Sequence, residues 1–397
     1  MFSRRSRAIA GTSQAPLGIF AAGNTADAVY PAPLVCLSMG AMRDDKAEAD
    51  ARVPSPTGDI SGLWSELAEY ARRAPSPHNT QPTRLRVLDR DRAQLFFVTE
   101  RGLPVGDPEG RFTYLTCGIV VETLRIAAHA RGYALAAEYT GGPLYQGQPD
   151  GLRKVADLRL VPQGHQVDDL DPALLHRRRT NRHPYNDRPV PAAVIGQLRE
   201  EARRYGHTFN VSVDPMAVQW VKELNRDALY HDLEHDRYRQ ELGSWLRYSE
   251  KEARRTGDGL SPEALVLPGW LLKGFMRYHW LFAAPVVKQL TQRVYMRTMT
   301  GISTVGWLQG RFVDAEDWIG AGHLMLRLWL ILTQHGIDWQ PYGSIITNEE
   351  SRGSMVDKFG IREGEGGRDM VWLLVRMGYS DHEPVRSQRL PLPEVLQ

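Results

Sequence analysis

The densest basic cluster of the chain is HRRRTNRHPYNDRPVP at residues 176–191. Arginines stand on both sides of the hydroxyl residue Thr180: Arg177, Arg178, Arg179 and Arg182. Most charge runs are solvated surface, and that alternative stays open for this cluster taken alone. Guanidinium groups, however, donate paired hydrogen bonds to phosphate oxygens. The spacing therefore indicates a candidate phosphate site.

Two further segments are dense in polar groups. RRAPSPHNTQP, residues 72–82, follows a helical pattern, and its prolines and short polar side chains are typical of a helix exit. EPVRSQRLPLPEVL, residues 383–396, places Arg386 and Arg389 around Ser387 and Gln388. Its Pro-rich, apolar continuation predicts that this tail lies against the fold.

Several other kinds of chemistry are excluded. The sequence has no G-x-G-x-x-G after a strand, no P-loop and no G-x-S-x-G elbow, and its histidines lack metal-ligand spacing. Two cysteines cannot supply a disulfide framework or a cysteine-based metal site. We therefore predict no metal site and name no catalytic side chain. If the chain is an enzyme, a bound organic cofactor carries the chemistry.

Composition narrows the choice of partners. The 397 residues are 42% apolar, which suffices for a core, and 49 basic residues balance 47 acidic ones, which argues against nucleic-acid binding. The most apolar region, residues 266–287, is interrupted by Lys273, Arg277 and His279, so it indicates a buried or groove-lining helix rather than a membrane span. SRRSR at residues 3–7 resembles an export signal only weakly. We expect a soluble, cytoplasmic protein without a membrane partner.

Two pairs of segments recur in the same order. TCGIVVETLRIAAHARGY, residues 116–133, aligns without gaps with GAGHLMLRLWLILTQHGI, residues 320–337; both have Gly at the third position and end near Gly132 or Gly336. ELAEYARR, residues 66–73, matches QLREEARR, residues 197–204, and a β-like run follows each, at residues 84–88 and 209–213. Any two buried helices look alike, but the repeated order predicts an internal duplication.

The second half is the longer one. The two long helical segments are 204 positions apart and the two shorter segments are 131 positions apart. The second half therefore has 73 more residues than the first between its strand and its long helix. They fall at residues 225–311, which have helical patterning. Residues 93–100 and 369–378 read as further strands. We predict an α+β fold in three parts: a disordered or loosely packed extension (1–55), a truncated half (56–165) and a fuller half with a helical insertion and C-terminal arm (166–397).

Four motifs resemble those of the nitroreductase superfamily of FMN proteins. RRRTNRHPY resembles its R-x-[ST]-x-R phosphate motif, and APSPHNTQP resembles its S-x-x-N-x-Q-P-W loop. HGIDWQPYGS is similar to the segment that runs under the flavin ring, and RSQRLPLPEVL to the C-terminal basic signature. The resemblance covers about residues 59–397 and implies a three-layer nitroreductase-like fold.

In that family FMN lies between two subunits. Because the loop precedes the arginine motif here, we expect a fused pseudo-dimer with one FMN site per chain.

The resemblance also implies residue roles. The phosphate would be held by Arg178, Arg179, Thr180, Arg182, Arg386 and Arg389. The ring would be lined by Pro75, Ser76, Pro77 and Asn79, with Gln81 bracing the loop. Gly343, preceded by Tyr342, would present its backbone N–H to flavin N5. Thr83 stands where the family has an aromatic residue, and Tyr342 where it often has an acidic one, which puts ring stacking and the nicotinamide pocket in doubt.

The implied activity is an FMN-dependent oxidoreductase that transfers hydride from NAD(P)H to flavin and then electrons to a nitroaromatic, quinone or similar small-molecule acceptor. The alternative is a flavin-binding or flavin-storing protein with a covered site, for which residues 248–268 would be the lid. A surface helical excursion is the other interpretation of that segment. A monomeric pseudo-dimer and a homodimer are both open.

Overall fold

The computed structural model describes residues 60–145, 151–163, 168–282 and 284–397. The described residues belong to one compact unit, Thr57–Gln397. The predicted loose extension, residues 1–55, lies outside the described residues.

The first half is a four-stranded antiparallel sheet with two helices. Its elements are α1 (Ile60–Ala71), β1 (Thr83–Val87), β2 (Arg92–Val98), α2 (Arg111–His129), β3 (Tyr133–Tyr139) and β4 (Leu152–Pro162). The strand order is β1-β2-β4-β3. Alternation in β2 buries Ala93, Leu95 and Phe97 on one face, which explains why this run folds as a strand. The strand prediction for residues 93–100 is therefore confirmed up to Val98, but it is wrong for residues 99 and 100, which belong to the 3-10 turn Thr99–Arg101.

The second half repeats this arrangement and adds a helical excursion. Its elements are α3 (Ala173–Arg177), α4 (Ala192–Arg204), β5 (Thr208–Ser212), α5 (Pro215–Glu234), α6 (Asp236–Ser244), α7 (Glu250–Thr256), α8 (Pro262–Leu265), α9 (Gly269–Arg277), α10 (His279–Phe282), α11 (Pro285–Arg297), β6 (Thr304–Gly310), α12 (Ala315–Gln334), β7 (Asp338–Pro341), α13 (Gly343–Thr347), α14 (Glu349–Phe359), β8 (Met370–Gly378) and α15 (Leu392–Val395). Strand β8 is buried throughout and confirms the strand predicted at residues 369–378.

The strand orders of the two sheets correspond. The second sheet runs β5-β6-β8-β7, which matches β1-β2-β4-β3 position by position, and a long helix follows the second strand of each. The helices α5 to α11 lie between β5 and β6 and account for the extra length of this half. The helical patterning predicted for residues 225–311 is wrong at its end, because residues 304–310 pair with β5 and β8 as strand β6. Helices α2 and α12 both end before a glycine in the left-handed region, Gly132 (φ +79°) and Gly336 (φ +66°). This repeated order is what an internal duplication would produce.

The two long helices cross in close contact at paired glycines. A Cβ on Gly118 would lie 2.1 Å from the backbone oxygen of Ile319, and one on Gly322 would lie 2.0 Å from that of Leu115. These are the two third-position glycines of the aligned segments. The absence of a side chain at both positions therefore allows the halves to approach backbone to backbone.

Buried charges also connect the halves. Arg327 on α12 donates to Glu122 on α2 and Asp168 at 3.0 and 2.9 Å, and it also pairs with Glu201 on α4. Burial opposes ionisation of Glu122, but the hydrogen bond and charge of His323, with the charges of Arg125 and Arg327, lower its pKa to about 2. The network satisfies carboxylates that would otherwise be unpaired in the core.

The C-terminal tail returns to the first half. Leu396 forms a parallel bridge with Leu85 at the edge strand β1, and Gln397 exchanges backbone hydrogen bonds with Leu85 and Val87. The prediction that the tail lies against the fold is confirmed. Residues 379–391 consequently cross from the second sheet to the loop that follows α1.

Candidate functional site

A polar pocket lies where four segments meet. They are the loop after α1, the residues after α3, the turn before α8 and the C-terminal arm. The described residues that line the pocket are Arg73, Pro75, Ser76, His78, Asn79, Leu175, Arg178, Arg179, Thr180, Arg182, Leu260, Val385, Arg386, Ser387 and Arg389. Both halves of the chain therefore contribute to one site.

The loop after α1 has an unusual backbone. His78, Asn79 and Gln81 all lie in the left-handed region, with φ of 49°, 56° and 49°. Each such residue other than glycine costs roughly 1 kcal/mol, so other contacts must hold the loop. Ser76 supplies one, because its Oγ accepts from the backbone N–H of Gln81 at 2.9 Å.

Asn79 ties three segments together. Its Nδ2 donates to the carbonyl oxygens of Gly259 (3.0 Å) and Gln388 (3.1 Å), and its Oδ1 accepts from Nη1 of Arg389 at 2.6 Å. The side chain is 6% exposed. Both amide hydrogens are thus already used, so the side chain acts as a brace and retains only acceptor capacity toward a ligand.

The turn before α8 is fastened to the same loop. Gln81 donates from Nε2 to the Gly257 carbonyl at 2.9 Å, and its Oε1 accepts from the backbone N–H of Leu390 at 2.9 Å. Arg182 donates from Nη1 to the Ala264 carbonyl at 3.1 Å. Residues 248–268, the candidate lid, therefore contact the pocket rather than forming a detached surface excursion.

Arg178 is the most deeply held arginine of the site. Its guanidinium lies 4.4 Å from the ring centroid of Trp329 on α12 and donates to the Arg73 carbonyl at 3.1 Å. Burial, with the positive charges of Arg389, Arg386 and Arg179, lowers its pKa to about 9. Trp329 thus packs against a cation that has no acidic partner among the described residues.

The site as a whole carries uncompensated positive charge. None of the described residues that line the pocket is acidic. Six of them are arginines: Arg73, Arg178, Arg179, Arg182, Arg386 and Arg389. Burial and neighbouring arginines lower the pKa of Arg389 to about 10, and burial, with Arg182, lowers that of His78 to about 4. Such mutual repulsion is relieved when an anion binds.

Unused donors support the same conclusion. The Nε atoms of Arg73, Arg179 and Arg389 are buried and have no hydrogen-bond partner among the described residues. Buried polar atoms without partners are rare in folded proteins, and a bound ligand is one way in which such donors are satisfied. Guanidinium N–H groups match phosphate oxygens, so the residues present fit a phosphate group.

The structure brings together nine of the thirteen residues predicted from the sequence. Pro77, Gln81, Tyr342 and Gly343 are not among the described lining residues. Tyr342 is 1% exposed, and its hydroxyl has no hydrogen-bond partner in the described part of the chain. Gly343 is exposed at the first residue of α13. The roles of Pro77, Tyr342 and Gly343 toward a ring remain predictions, whereas Gln81 was predicted to brace the loop and makes the two hydrogen bonds described above.

Sequence reasoning missed several contributors. Arg73 and His78 lie within the loop after α1, yet the resemblance assigned roles only to its prolines and short polar residues. The signal that could have found Arg73 is the basic pair at the end of α1, since a cation there also faces the helix C-terminus. Leu175, Leu260, Val385 and Ser387 carry no such signal, and neither does Trp329.

Comparison with known proteins identifies relatives of this chain. The nitroreductase family model matches residues 175–379. A Mycobacterium tuberculosis H37Rv protein provisionally named an NAD(P)H nitroreductase is 30% identical over 173 residues, 44% of this chain and 48% of its own. The M. tuberculosis protein acg, also provisionally named an NAD(P)H nitroreductase, is 30% identical over 202 residues, 50% and 56% respectively. The alignments thus span about half the length of these curated relatives.

Solved structures give weaker likenesses. The FMN-dependent nitroreductase NfnB from Mycobacterium smegmatis, in complex with NADPH, has a TM-score of 0.35 at 16% identity and covers 56% of this chain and 95% of its own. A nitroreductase with bound FMN from Bacteroides fragilis has a TM-score of 0.31 at 12% identity, covering 55% and 92%.

Proposed function

Because this chain belongs to the nitroreductase family, whose model covers more than half of it, we propose that it binds FMN at the six-arginine pocket and works as an NAD(P)H-dependent oxidoreductase. The observation that carries the proposal is the pocket itself, which both halves line with arginines and no described carboxylate. The bound FMN would supply hydride transfer at its flavin ring. A nitroaromatic, quinone or similar small molecule would be the acceptor.

The residues of the chain would divide the binding task. Arg178, Arg182 and Arg389 would hold the phosphate, since burial makes each hydrogen bond to it stronger than in water. Asn79 would keep the loop beside the ring rather than donate to it, because its donors are already used. The paired halves would exclude water from one face of the site.

A second function has a specific observation in its favour. Residues 257–264 hydrogen-bond to Asn79, Gln81 and Arg182, so this segment is fastened over the loop side of the pocket. A permanently fastened segment would restrict access by NAD(P)H and make the protein a flavin store with little reductase activity.

Anaerobic mixing distinguishes the two functions. The FMN-loaded chain is mixed with NADH or with NADPH, and flavin absorbance is followed. Bleaching within seconds supports the oxidoreductase, whereas persistent yellow colour supports storage. A chain that retains no flavin after purification and reconstitution contradicts both.

Substitutions test the pocket directly. Arg182→Ala should weaken FMN retention by about 1.5–3 kcal/mol, the contribution of one charge-assisted hydrogen bond. Arg177→Ala is the matched control, because Arg177 is an exposed neighbour in the same cluster that does not line the pocket. Equal FMN affinity in the two variants would count against the assignment.

A further inference from the structure

The helices α9 to α11 expose large apolar side chains. None of the described residues of α9 or α11 is buried. Their exposed set, which we name the outer face, comprises Trp270 (76% exposed), Tyr278 (46%), Trp280 (64%), Leu281 (43%), Val286 (80%) and Leu290 (60%). Scattered apolar residues are ordinary on protein surfaces, but a run of this density within about twenty residues marks an interaction surface.

The inner side of these helices is anchored to the fold. The ring of Phe275 on α9 packs against Tyr230 of α5 at 6.2 Å, and the Tyr295 hydroxyl on α11 accepts from Asn225 at 2.8 Å. Lys288 pairs with Glu234 at 2.6 Å. Because these contacts fix the helices from one side, the outer face is presented as a defined surface.

The charged side chains of the same segment are all basic. Residues 264–313 contain no Asp or Glu. Lys273, Arg277, Arg293 and Arg297 are exposed, and none of them forms an ion pair within the described residues. On α11 the exposed positions 286, 290, 293 and 297 follow helical spacing, so one stripe changes from apolar to basic along the helix.

We propose that the outer face docks on an anionic lipid surface. Tryptophan and tyrosine are the side chains that favour the boundary between headgroups and acyl chains, and basic residues beside them attract anionic headgroups. A second copy of the chain is a poorer occupant, since pairing this face with itself would oppose eight unpaired cations.

The contact would be peripheral. In the described part of the chain, no helix is both long and apolar enough to cross a bilayer. Helix α9 has nine residues and α11 has thirteen, both shorter than the roughly twenty residues that a membrane-spanning helix needs. This inference does not rest on flavin binding, and it differs from the expectation of no membrane partner that we drew from the sequence.

Vesicle sedimentation tests the proposal with the full chain. Vesicles of phosphatidylcholine alone are compared with vesicles containing about 30% phosphatidylglycerol. We expect binding to the anionic vesicles that weakens steeply in 0.5 M NaCl. Lys273→Gln with Arg277→Gln should lower the partition coefficient about 25-fold, roughly fivefold for each cation near the surface. Trp270→Ala with Trp280→Ala should lower it at least about tenfold.

The matched control uses exposed apolar residues elsewhere. Val213→Ala with Met216→Ala removes side chains that are 59% and 77% exposed near the start of α5, and vesicle binding should not change. Absence of binding to anionic vesicles, or equal losses in the control, overturns the proposal. A dimer in sedimentation velocity that Trp270→Ala with Trp280→Ala dissociates also overturns it, since a second copy then covers the face.

Discussion

The crossing of α2 and α12 yields a prediction whose magnitude comes from the structure. The perturbation is Gly322→Ala. Its new Cβ would lie 2.0 Å from the Leu115 backbone oxygen and 3.0 Å from Cα of Gly118. Both neighbours are backbone atoms of a helix, so no side chain can rotate away. The two helices would have to separate by about 1.4 Å to restore ordinary contact.

The expected cost follows from that separation. Overpacking of a core by one methyl group costs about 1–3 kcal/mol, and alanine regains up to about 1 kcal/mol of helix propensity. We therefore expect a lower free energy of unfolding, by up to about 2 kcal/mol. The separation would also disturb Arg178, because Trp329 beneath it lies on the same helix. FMN affinity should fall together with stability.

A control lies two residues away. Gly320 is on the same helix, and a Cβ there would meet nothing within 4 Å. Gly320→Ala should raise the free energy of unfolding by about 0.5–1 kcal/mol. The assay is equilibrium urea denaturation of both variants, followed by tryptophan fluorescence and circular dichroism. If Gly322→Ala proves as stable as Gly320→Ala, the close approach of the two halves is refuted.

Three further predictions concern the loop, the buried network and pH. Asn79→Gly removes three hydrogen bonds without creating left-handed strain, so proteolysis within residues 257–268 should accelerate; an unchanged rate would contradict the bracing role. Arg327→Ala removes one buried partner from Glu122, which keeps His323 and Arg125, and one from Glu201, which keeps Arg204. It should cost about 1.5–3 kcal/mol of unfolding free energy in denaturation, while Arg203→Ala at the surface should cost under about 0.5 kcal/mol. Burial and Arg182 lower the pKa of His78 from 6.5 to about 4. The unfolded imidazole therefore binds its proton first, and stability falls as pH decreases from 6.5 toward 4. Asparagine tolerates the left-handed backbone, so His78→Asn should reduce the dependence of the unfolding free energy on pH between 4 and 6.5. The same pH dependence in the variant and the parent chain would contradict this role of His78.

Local patterns predicted the two long helices and four of the eight strands in the described part of the chain, whereas β3, β4, β6 and β7 were not predicted. Residues 93–98 alternate and residues 370–378 form a short apolar run, patterns that favour strands, and glycines 132 and 336 end their helices where a left-handed cap is needed. Helix starts were less visible: α2 begins at Arg111, five residues before the aligned segment, because its first turn lacks an N-cap side chain. Propensity alone does not mark such a start.

The candidate site could be predicted only in part. Charged motif residues, such as Arg178 and Arg389, can be recognised in the sequence, and the structure places them around one pocket. The contacts that position them involve residues more than 100 positions apart, as in Arg178 over Trp329 and Arg389 with Asn79. No periodicity encodes such pairs, since they arise from the packing of the two halves. For the same reason the sequence did not predict that the donors of Asn79 are already used.

Flavin stoichiometry tests the central claim most directly, namely that both halves build one FMN site. Isothermal titration of FMN into the flavin-free full chain measures the number of sites and their affinity together. The account predicts one FMN per chain, with affinity reduced in Arg182→Ala and retained in Arg177→Ala. A stoichiometry near two, or no binding at all, would contradict it.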